Sequence, residues 1–529
     1  MDMTKTVGAD NTPSLERPEL VFGLIGPIGT DLEAVCTVLE QSISVAGYRT
    51  SVVRVSKQIE SIFNQSFDNI TEDKRISKLM DLGNKLRVDG EDAAAAAIIS
   101  IMKIMEIREN LPPEDHIDGN PKGNAYILRS IKNPQEIEQL RLVYGKGFIA
   151  ISISAPREER QYAISQRIAK SYLGSRPESS AEALAKHLID RDESEDNSHH
   201  QNVRDCFPLA DFFVDASNKE LMRKQIRRFL HLTFGHRFHT PSIDEHGIFQ
   251  ASAAALRSAD LNRQVGAAIV RSTGEIIAVG CNDVPKAGGD QYWDGDEGDM
   301  RDFVIGIDSG AQQREEMLSE LLGRLREGGI LNSNIEKQEI EKLAKSLLYG
   351  TNKQKLKGAS LMNLLEFGRS VHAEMAAITT AARLGIAVKD ATLYSTTFPC
   401  HMCARHIVAS GIKEVVYIEP YPKSRAKQLH KDSIDTDGTF NPKGNYVKFR
   451  PFQGIAPRQY QTIFMANDMR KDGQGRAIEF AMTNGKLRWQ RFNNSYMKNE
   501  AALIETVLPT IIEKLKTKKA ALTQGETNG

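Results

Sequence analysis

The sequence has no net charge: across 529 residues, 69 lysines and arginines balance 69 aspartates and glutamates. Without a basic surplus there is no global field to collect a polynucleotide, though a local basic pocket for one nucleotide is compatible with the balance. No run of about eighteen apolar residues occurs, so no membrane-spanning helix is expected. The opening stretch "MDMTKTVGADNTPSLERPEL" lacks the apolar core of a secretory signal. Cysteine is scarce, 5 in all, and two of them form a CxxC pair. That usage reads as a reducing compartment and a metal site, not a disulfide framework. A cytoplasmic location is expected. What the chain does have is 40% hydrophobic and 26% charged residues, ordinary for a soluble protein with sizeable cores. Its length suggests roughly two to four domains.

Residues 1–18 are polar and read as a disordered N-terminus. "LVFGLIGPIGTDLEAVCTVLEQ" then reads as a buried strand, a Gly-rich turn and an amphipathic helix. "YRTSVVRVS" is a second strand, and helical patterns fill much of 72–110. "NAYILRSI" and "GKGFIAISIS" are further strands, separated by a helix that Asn133 can cap with Pro134 at its first position. "ADFFVDA" closes the series. Apolar strands alternating with helices predict a parallel sheet covered on both faces, an α/β domain over 19–235. The apolar-poor segment 191–202, "RDESEDNSHHQN", reads as a solvated loop or as a lid over a nucleotide site.

A second unit is expected over 240–475. It opens with a helix capped by Ser242 or Asp244. A hairpin follows, from "RQVGAAIV" and "GEIIAVGCN". Next come a polar, helix-rich insertion over 286–366, a helix bearing "HAEMAAI", the strand "ATLYSTTF", a helix opened by "PCHMCARHIVASG" and the strand "KEVVYIEP". Residues 476–529 form a C-terminal extension whose amphipathic helix can pack on the domain or on a second subunit.

Within that unit His372 stands two residues before Glu374 in an otherwise apolar stretch, and "TTFPCHMC" supplies Cys400 and Cys403. A CxxC turn at a helix N-terminus brings two sulfurs to one ion and favours their thiolate form. One His and two Cys make three tetrahedral ligands for Zn2+, with the fourth position open to water whose pKa the metal lowers toward neutrality. Glu374 can reach that water without being a ligand and act as general acid and base. The competing reading is a structural zinc knot completed by His401 or His406, or a buried histidine with two unrelated core cysteines; either leaves Glu374 and Pro399 without a role. Cys36, Cys206 and Cys281 fall in apolar settings and read as core.

The order H-x-E…P-C-x-x-C, here His372, Glu374, Pro399, Cys400 and Cys403, resembles the signature of zinc-dependent nucleobase deaminases. More narrowly, 240–285 and 370–425 resemble the deoxycytidylate deaminase family within the cytidine deaminase superfamily, through "RQVGAAIV", "GEIIAVGCNDVP", "HAEMAAI", "LYSTTFPCHMCARHIVASGIKEVVY" and "EPYPKS". The resemblance implies a cytidine deaminase-like α/β/α sandwich with zinc between two helix N-termini, and a contact from Asn282 to the nucleotide sugar. Ala376 stands where many relatives carry asparagine, so substrate contacts there differ. Arg257, Arg263, Lys423 and Arg425 are candidate phosphate contacts, with Arg263 and Lys423 favoured because they flank the zinc motifs. Tyr292 and Trp293 can stack on a base or anchor the insertion.

In the first unit "GPIGTDLE" occupies the place of a P-loop, with Gly26, Gly29 and Thr30 in its turn. Asp31 replaces the second glycine, Leu32 the phosphate-binding lysine and Glu33 the magnesium-binding hydroxyl, so kinase chemistry is not expected. A nucleotide-sensing or purely architectural domain is. "RSIKNPQEIEQLRLVYGKGFIAISISAPREER" resembles the middle of nucleoside and dephospho-coenzyme A kinases, which implies fold ancestry only. The full-length arrangement, a degenerate P-loop kinase-like domain ahead of a deoxycytidylate deaminase-like one, resembles the antiviral cytidine deaminases of bacterial antiphage defence. That resemblance implies hydrolytic deamination of free dCTP and/or dCMP, depletion of deoxycytidine nucleotides during infection and, for some members, an inhibitory partner RNA. A homo-oligomer is the expected assembly. The alternatives are a deaminase acting on a base within RNA or single-stranded DNA, and a regulatory nucleotide- or RNA-binding protein with a vestigial site.

Overall fold

The strand Leu20–Ile25 is buried at all its positions, as a strand is only in the middle of a sheet covered on both faces. In the computed structural model it pairs in parallel with Asn124–Ile131 on one side and Phe148–Ser154 on the other. Arg49–Arg54 and Phe212–Asp215 extend the sheet in parallel, and Gly454–Ile455 adds an antiparallel outer edge. Described residues exclude 1–16, 113–115, 118–119, 122, 173–177, 194–198, 333–334, 336, 357–358, 360–366, 422–423, 437–444, 467, 489–494 and 527–529. The polar N-terminal stretch expected to be disordered therefore lies almost wholly outside them. No helix among the described residues is long and apolar enough to cross a membrane.

Local chemistry explains the joints of this first sheet. Asn133 and Glu136 form a reciprocal capping box at the start of Pro134–Tyr144. The expected strand "YRTSVVRVS" ends at Arg54 instead, and the next residue begins the helix Val55–Ile62, which buries Val55 and Ile59. Glu72–Asp89 and Ala95–Glu109 are the helices foreseen over 72–110. Of the segment 191–202 expected to be a solvated loop, residues 191–193 instead complete the helix Glu178–Glu193 with Asp192 fully buried; 194–198 lie outside the described residues.

The chain divides into one unit of Met1–Pro241 with Gln453–Gly529 and another of Ser242–Phe452. The expected end of the second unit at 475 is thus corrected to 452. Gly454 and Ile455 pair with Phe213 and Phe212, and Leu508 and Ile511 share a core with Val55, Ile59 and Leu86. Arg108 is buried between Glu19 at 2.7 Å and Glu500 at 2.6 Å, and Tyr126 and Tyr496 donate to Glu19. The amphipathic tail therefore covers the first unit of its own chain.

In the second unit Ser242 caps the helix Ile243–Ala255 in a box with Glu245. Asp244 is engaged elsewhere, accepting from the Tyr394 hydroxyl at 2.8 Å and pairing with Arg450. The hairpin joins Gly266–Val270 to Ile276–Cys281. Its sheet runs Ile434–Asp435, Val447–Pro451, Glu414–Glu419, Thr392–Thr397, Gly266–Val270, Ile276–Cys281, parallel up to Thr392–Thr397 and antiparallel beyond. Two glycines let helices touch it. A Cβ on Gly266 would strike the carbonyl of Ala251, and one on Gly280 would lie 2.5 Å from the carbonyl of Ala373. Gly280 pairs with Ala267, the neighbour of Gly266, so the two glycines face opposite sides and the two helices sandwich the sheet. The insertion contributes Ser309–Glu327 and Ile340–Leu348, packed on each other through Leu318, Leu322, Ile340 and Leu343.

Arg108→Ala would leave Glu19 and Glu500 as buried carboxylates without their cation. We expect a loss of about 3–5 kcal/mol, read as a shift of the first unit's denaturant midpoint; an unchanged midpoint would contradict the pairing.

Candidate metal and catalytic site

His372 has extended backbone (φ −65°, ψ 152°) and forms the N-cap of the helix Ala373–Arg383. The antiparallel bridge between Asp283 and Val371 fixes the residue just before it. Cys400 is the N-cap of the helix His401–Ala409, and its sulfur accepts from the amide of Cys403 at 3.4 Å. Ser424 holds the carbonyl of Pro399 at 2.8 Å, which steadies the turn into that helix. Two helix N-termini thus direct their positive ends at one place, where thiolates are favoured.

Nδ1 of His372 lies 3.3 Å from the sulfur of Cys400 and 3.5 Å from that of Cys403. The three donor atoms sit within 4.8 Å of one another, and both cysteines are buried. Hydrogen bonding from Cys403 and His372 draws the Cys400 thiol down to about 4. Cys403, bonded to that sulfur and buried, is pushed up. Beside Cys400 the His372 imidazole rises to about 9. One soft imidazole and two sulfurs packed this closely suit a zinc-like cation, which would favour both thiolates at once. His401 and His406 lie outside the cluster: among the described residues the buried Nδ1 of His401 meets no hydrogen-bond partner, and His406 meets Arg405. Neither completes a structural knot.

Glu374 occupies the first turn of the His372 helix and is buried. Burial raises its pKa, and the negative Cys400 adds to the rise. A carboxyl held so, beside a metal-type donor set, is suited to passing a proton both ways near neutral pH. The remaining cysteines are core, as expected: burial raises Cys36 and Cys281 to about 11 and pushes Cys206 up.

His372, Glu374 and Cys400 line one cavity with Asn282, Arg263 and Tyr421. Asn282 accepts from the amide of Val265 at 2.6 Å and donates to the carbonyl of Arg263 at 2.8 Å, so its amide also ties the mouth of the hairpin. Arg263 pairs with Glu419 at 2.8 Å and lies over Tyr421. Lys423 is outside the described residues. Arg257 covers the ring of Trp293 at 3.6 Å and donates to the carbonyl of Gln291, which makes Trp293 an anchor for the insertion. Arg425, the N-cap of the short helix Ala426–Leu429, donates to Gln428 within that helix. Sequence reasoning missed Arg314 and Arg369, which line the cavity with Asp302 and Asp308. They sit in or beside the insertion, where charged residues at helical spacing look like solvated surface.

The first unit brings Gly26, Gly29 and Thr30 together in a turn that leads into the helix Leu32–Ser44. Gly29 has φ +87°, and a Cβ there would meet the carbonyl of Arg160 at 2.6 Å. Asp31 caps the helix, Leu32 is buried, and Glu33 pairs with Arg54 and Arg129. A second cluster, unforeseen from sequence, is His231, His236 and His239. It suits a cation poorly. Nδ1 of His236 accepts from the amides of Phe238 at 3.2 Å and His239 at 3.1 Å, which places the ring proton on Nε2. Burial, with Arg227 and Arg488 nearby, lowers the pKa of His231 and His236.

Residues 241–419 match the family model described as the cytidine and deoxycytidylate deaminase zinc-binding region. The matched stretch lies almost wholly within the second unit. The chain is 49% identical over 87 residues to a deoxycytidylate deaminase of Enterobacteria phage T2, covering 16% of this chain and 45% of that protein. To the deoxycytidylate deaminase of Enterobacteria phage T4 it is 49% identical over 55 residues, covering 10% and 28%. The chain thus spans less than half the length of each of these relatives. A crystal structure of a dCMP deaminase from cyanophage S-TIM5, in complex with dCMP and dUMP, aligns at 16% identity and TM-score 0.22, covering 40% of this chain and 98% of that one.

Gly280→Ala would drive the His372 helix off the sheet. We expect the purified variant to hold less than about a tenth of the zinc of the parent, like Cys403→Ser, while His401→Ala keeps it. Metal analysis of the three variants checks this; full zinc in Cys403→Ser would remove that cysteine from the ligand set.

Proposed function

We propose that the second unit hydrolyses the amino group from the cytosine of a free deoxycytidine nucleotide, dCMP and/or dCTP, releasing ammonia and the uracil nucleotide. The observation that carries the proposal is the buried Glu374 carboxyl in the same cavity as His372 and Cys400, two of the three clustered donors that Cys403 completes. Zinc held by those three supplies Lewis acidity that makes water nucleophilic near neutral pH. The chain's own part is proton movement and positioning. Glu374 takes one proton from the attacking water and gives it to the ring nitrogen, then takes the second from the resulting hydroxyl and delivers it to the amine, which leaves as ammonia while the carbonyl forms. Asn282, fixed by two backbone bonds, presents its remaining amide capacity toward the sugar.

The phosphate end faces Arg263, Arg314 and Arg369 at the cavity wall. Arg263 and Arg369 are held in tight pairs at 2.8 and 3.0 Å, whereas Arg314 reaches Asp308 only at 3.9 Å. An arriving phosphate would recruit Arg314 most readily. Locally paired arginines and a balanced total charge favour a single nucleotide over a polynucleotide. The local matches to phage deoxycytidylate deaminases support the substrate class. The likeness of the full-length arrangement to antiviral deaminases supports extending the proposal to depletion of deoxycytidine nucleotides in phage-infected cells.

Ammonia release from CMP, dCMP, dCTP and cytosine-bearing oligonucleotides tests the reading; release from oligonucleotides alone would replace it with a polynucleotide deaminase. Glu374→Gln should keep its zinc and lose about a thousandfold in turnover. Retained turnover would remove the proton-shuttle role. Arg314→Ala should raise KM about 10- to 100-fold with kcat little changed. A variant with the parent's KM would place the phosphate elsewhere.

A further inference from the structure

The turn that follows Leu20–Ile25 stands at the carboxyl end of the central strand. From this strand the chain crosses to Arg49–Arg54 on one side and later to Phe148–Ser154 on the other, a reversal of strand order at which open parallel sheets bind ligands. In phosphate-binding turns at such a place, backbone amides and a lysine make the anion site. Both are present in space, although the motif lacks the lysine. The amide of Ile28 donates to Oδ2 of Asp192 at 2.7 Å. Lys132, just past the neighbouring strand Asn124–Ile131, donates to Oδ1 of Asp192 at 2.8 Å and to the carbonyl of Gly26 at 3.1 Å. Asp192 is fully buried. The anion in the turn is the chain's own carboxylate.

The last turn of the helix Glu178–Glu193 is held on both sides of that contact. Arg157 pairs with Asp190 and with Glu193, the latter at 2.8 Å, and Arg160 reaches Glu193 at 3.2 Å. Beyond the helix, the amide of Asn202 donates to the carbonyl of Lys132 at 2.7 Å. Lys132 is therefore gripped through its side chain by the helix and through its backbone by the segment that returns from it. For a phosphate to enter, Asp192 would have to leave both its amide and its lysine, and a buried carboxylate stripped of its cation is strongly disfavoured.

We propose that the anion site of the first unit keeps Asp192 as its permanent ligand and takes no nucleotide phosphate, so that the geometry of a phosphate turn serves to lock the helix Glu178–Glu193. This inference is independent of the deaminase reading. Titration calorimetry of the full chain with Mg–ATP and with inorganic pyrophosphate, up to about 1 mM, should show no saturable binding. Asp192→Ala should melt roughly 5–15 °C lower, and pyrophosphate or acetate should restore part of that loss in the variant but not in the parent. Saturable binding by the parent that Lys132→Met abolishes would overturn the proposal and make Asp192 a displaceable gate. A parent-like melting point for Asp192→Ala would also overturn it. Should that variant fail to fold, the titration of the parent still decides.

Discussion

The site of the second unit depends on one steric permission. At Gly280 a helix backbone lies against a strand with no side chain between them. That contact sets the height of the Ala373–Arg383 helix over the sheet, and with it the place of its N-cap, His372. Small residues on the same helix, Ala373, Ala377 and Ala381, are buried in the core that also holds Cys400 and Cys403. With side chains this short, few rotamers are available to absorb a displacement, so the donor atoms inherit their positions from backbone geometry. The Glu374 carboxyl sits two residues beyond the N-cap and shares that rigidity. A metal site built on helix starts, rather than on loops, needs few stabilising contacts of its own.

Two buried acids show how environment decides what a carboxylate does. Glu374 is buried beside negatively inclined sulfur, and its proton affinity rises. A group in that state exchanges protons readily. Asp192 is buried as completely, but meets a lysine and a backbone amide, the two partners that compensate a charge taken out of water. The first arrangement favours chemistry and the second favours a fixed structure. The contrast lies in the partners, since both side chains are withdrawn from solvent.

Much of this is legible in the sequence because the relevant signals are local. The His–x–Glu and Cys–x–x–Cys spacings place their side chains within one helical turn, and Asn133 with Glu136 and Ser242 with Glu245 declare helix starts through their own chemistry. The α/β class follows from apolar runs such as Leu20–Ile25 and Phe148–Ser154, whose burial needs a covered sheet. What is not legible depends on residues far apart. The return of Gly454–Ile455 to the edge of the first sheet rests on two residues that carry no strand pattern. Lys132 reaches the turn at Gly26 across 106 positions, so a motif read along the chain reports the lysine as missing. Asp192 looks like part of a solvated charged run because its partners lie 60 and 164 residues away.

Partners distant in sequence also shape the wall of the cavity. Arg314 and Arg369 come from a stretch whose composition suggests surface, and each has a carboxylate partner, Asp308 or Asp302, that also lines the cavity. Asp308 has a prior engagement, since its side chain caps the helix Ser309–Glu327 through the amides of Gly310 and Ala311. Its charge is therefore partly satisfied by the helix end, which loosens its hold on Arg314. Asp302 holds Arg369 more closely, at 3.0 Å, with the Ser309 hydroxyl as a further donor. The wall is thus graded, with one arginine ready to move and one kept in place. A pocket arranged so can stay electrically balanced when empty and still present a cation to an incoming anion, which a cluster of free arginines could not do without repelling itself.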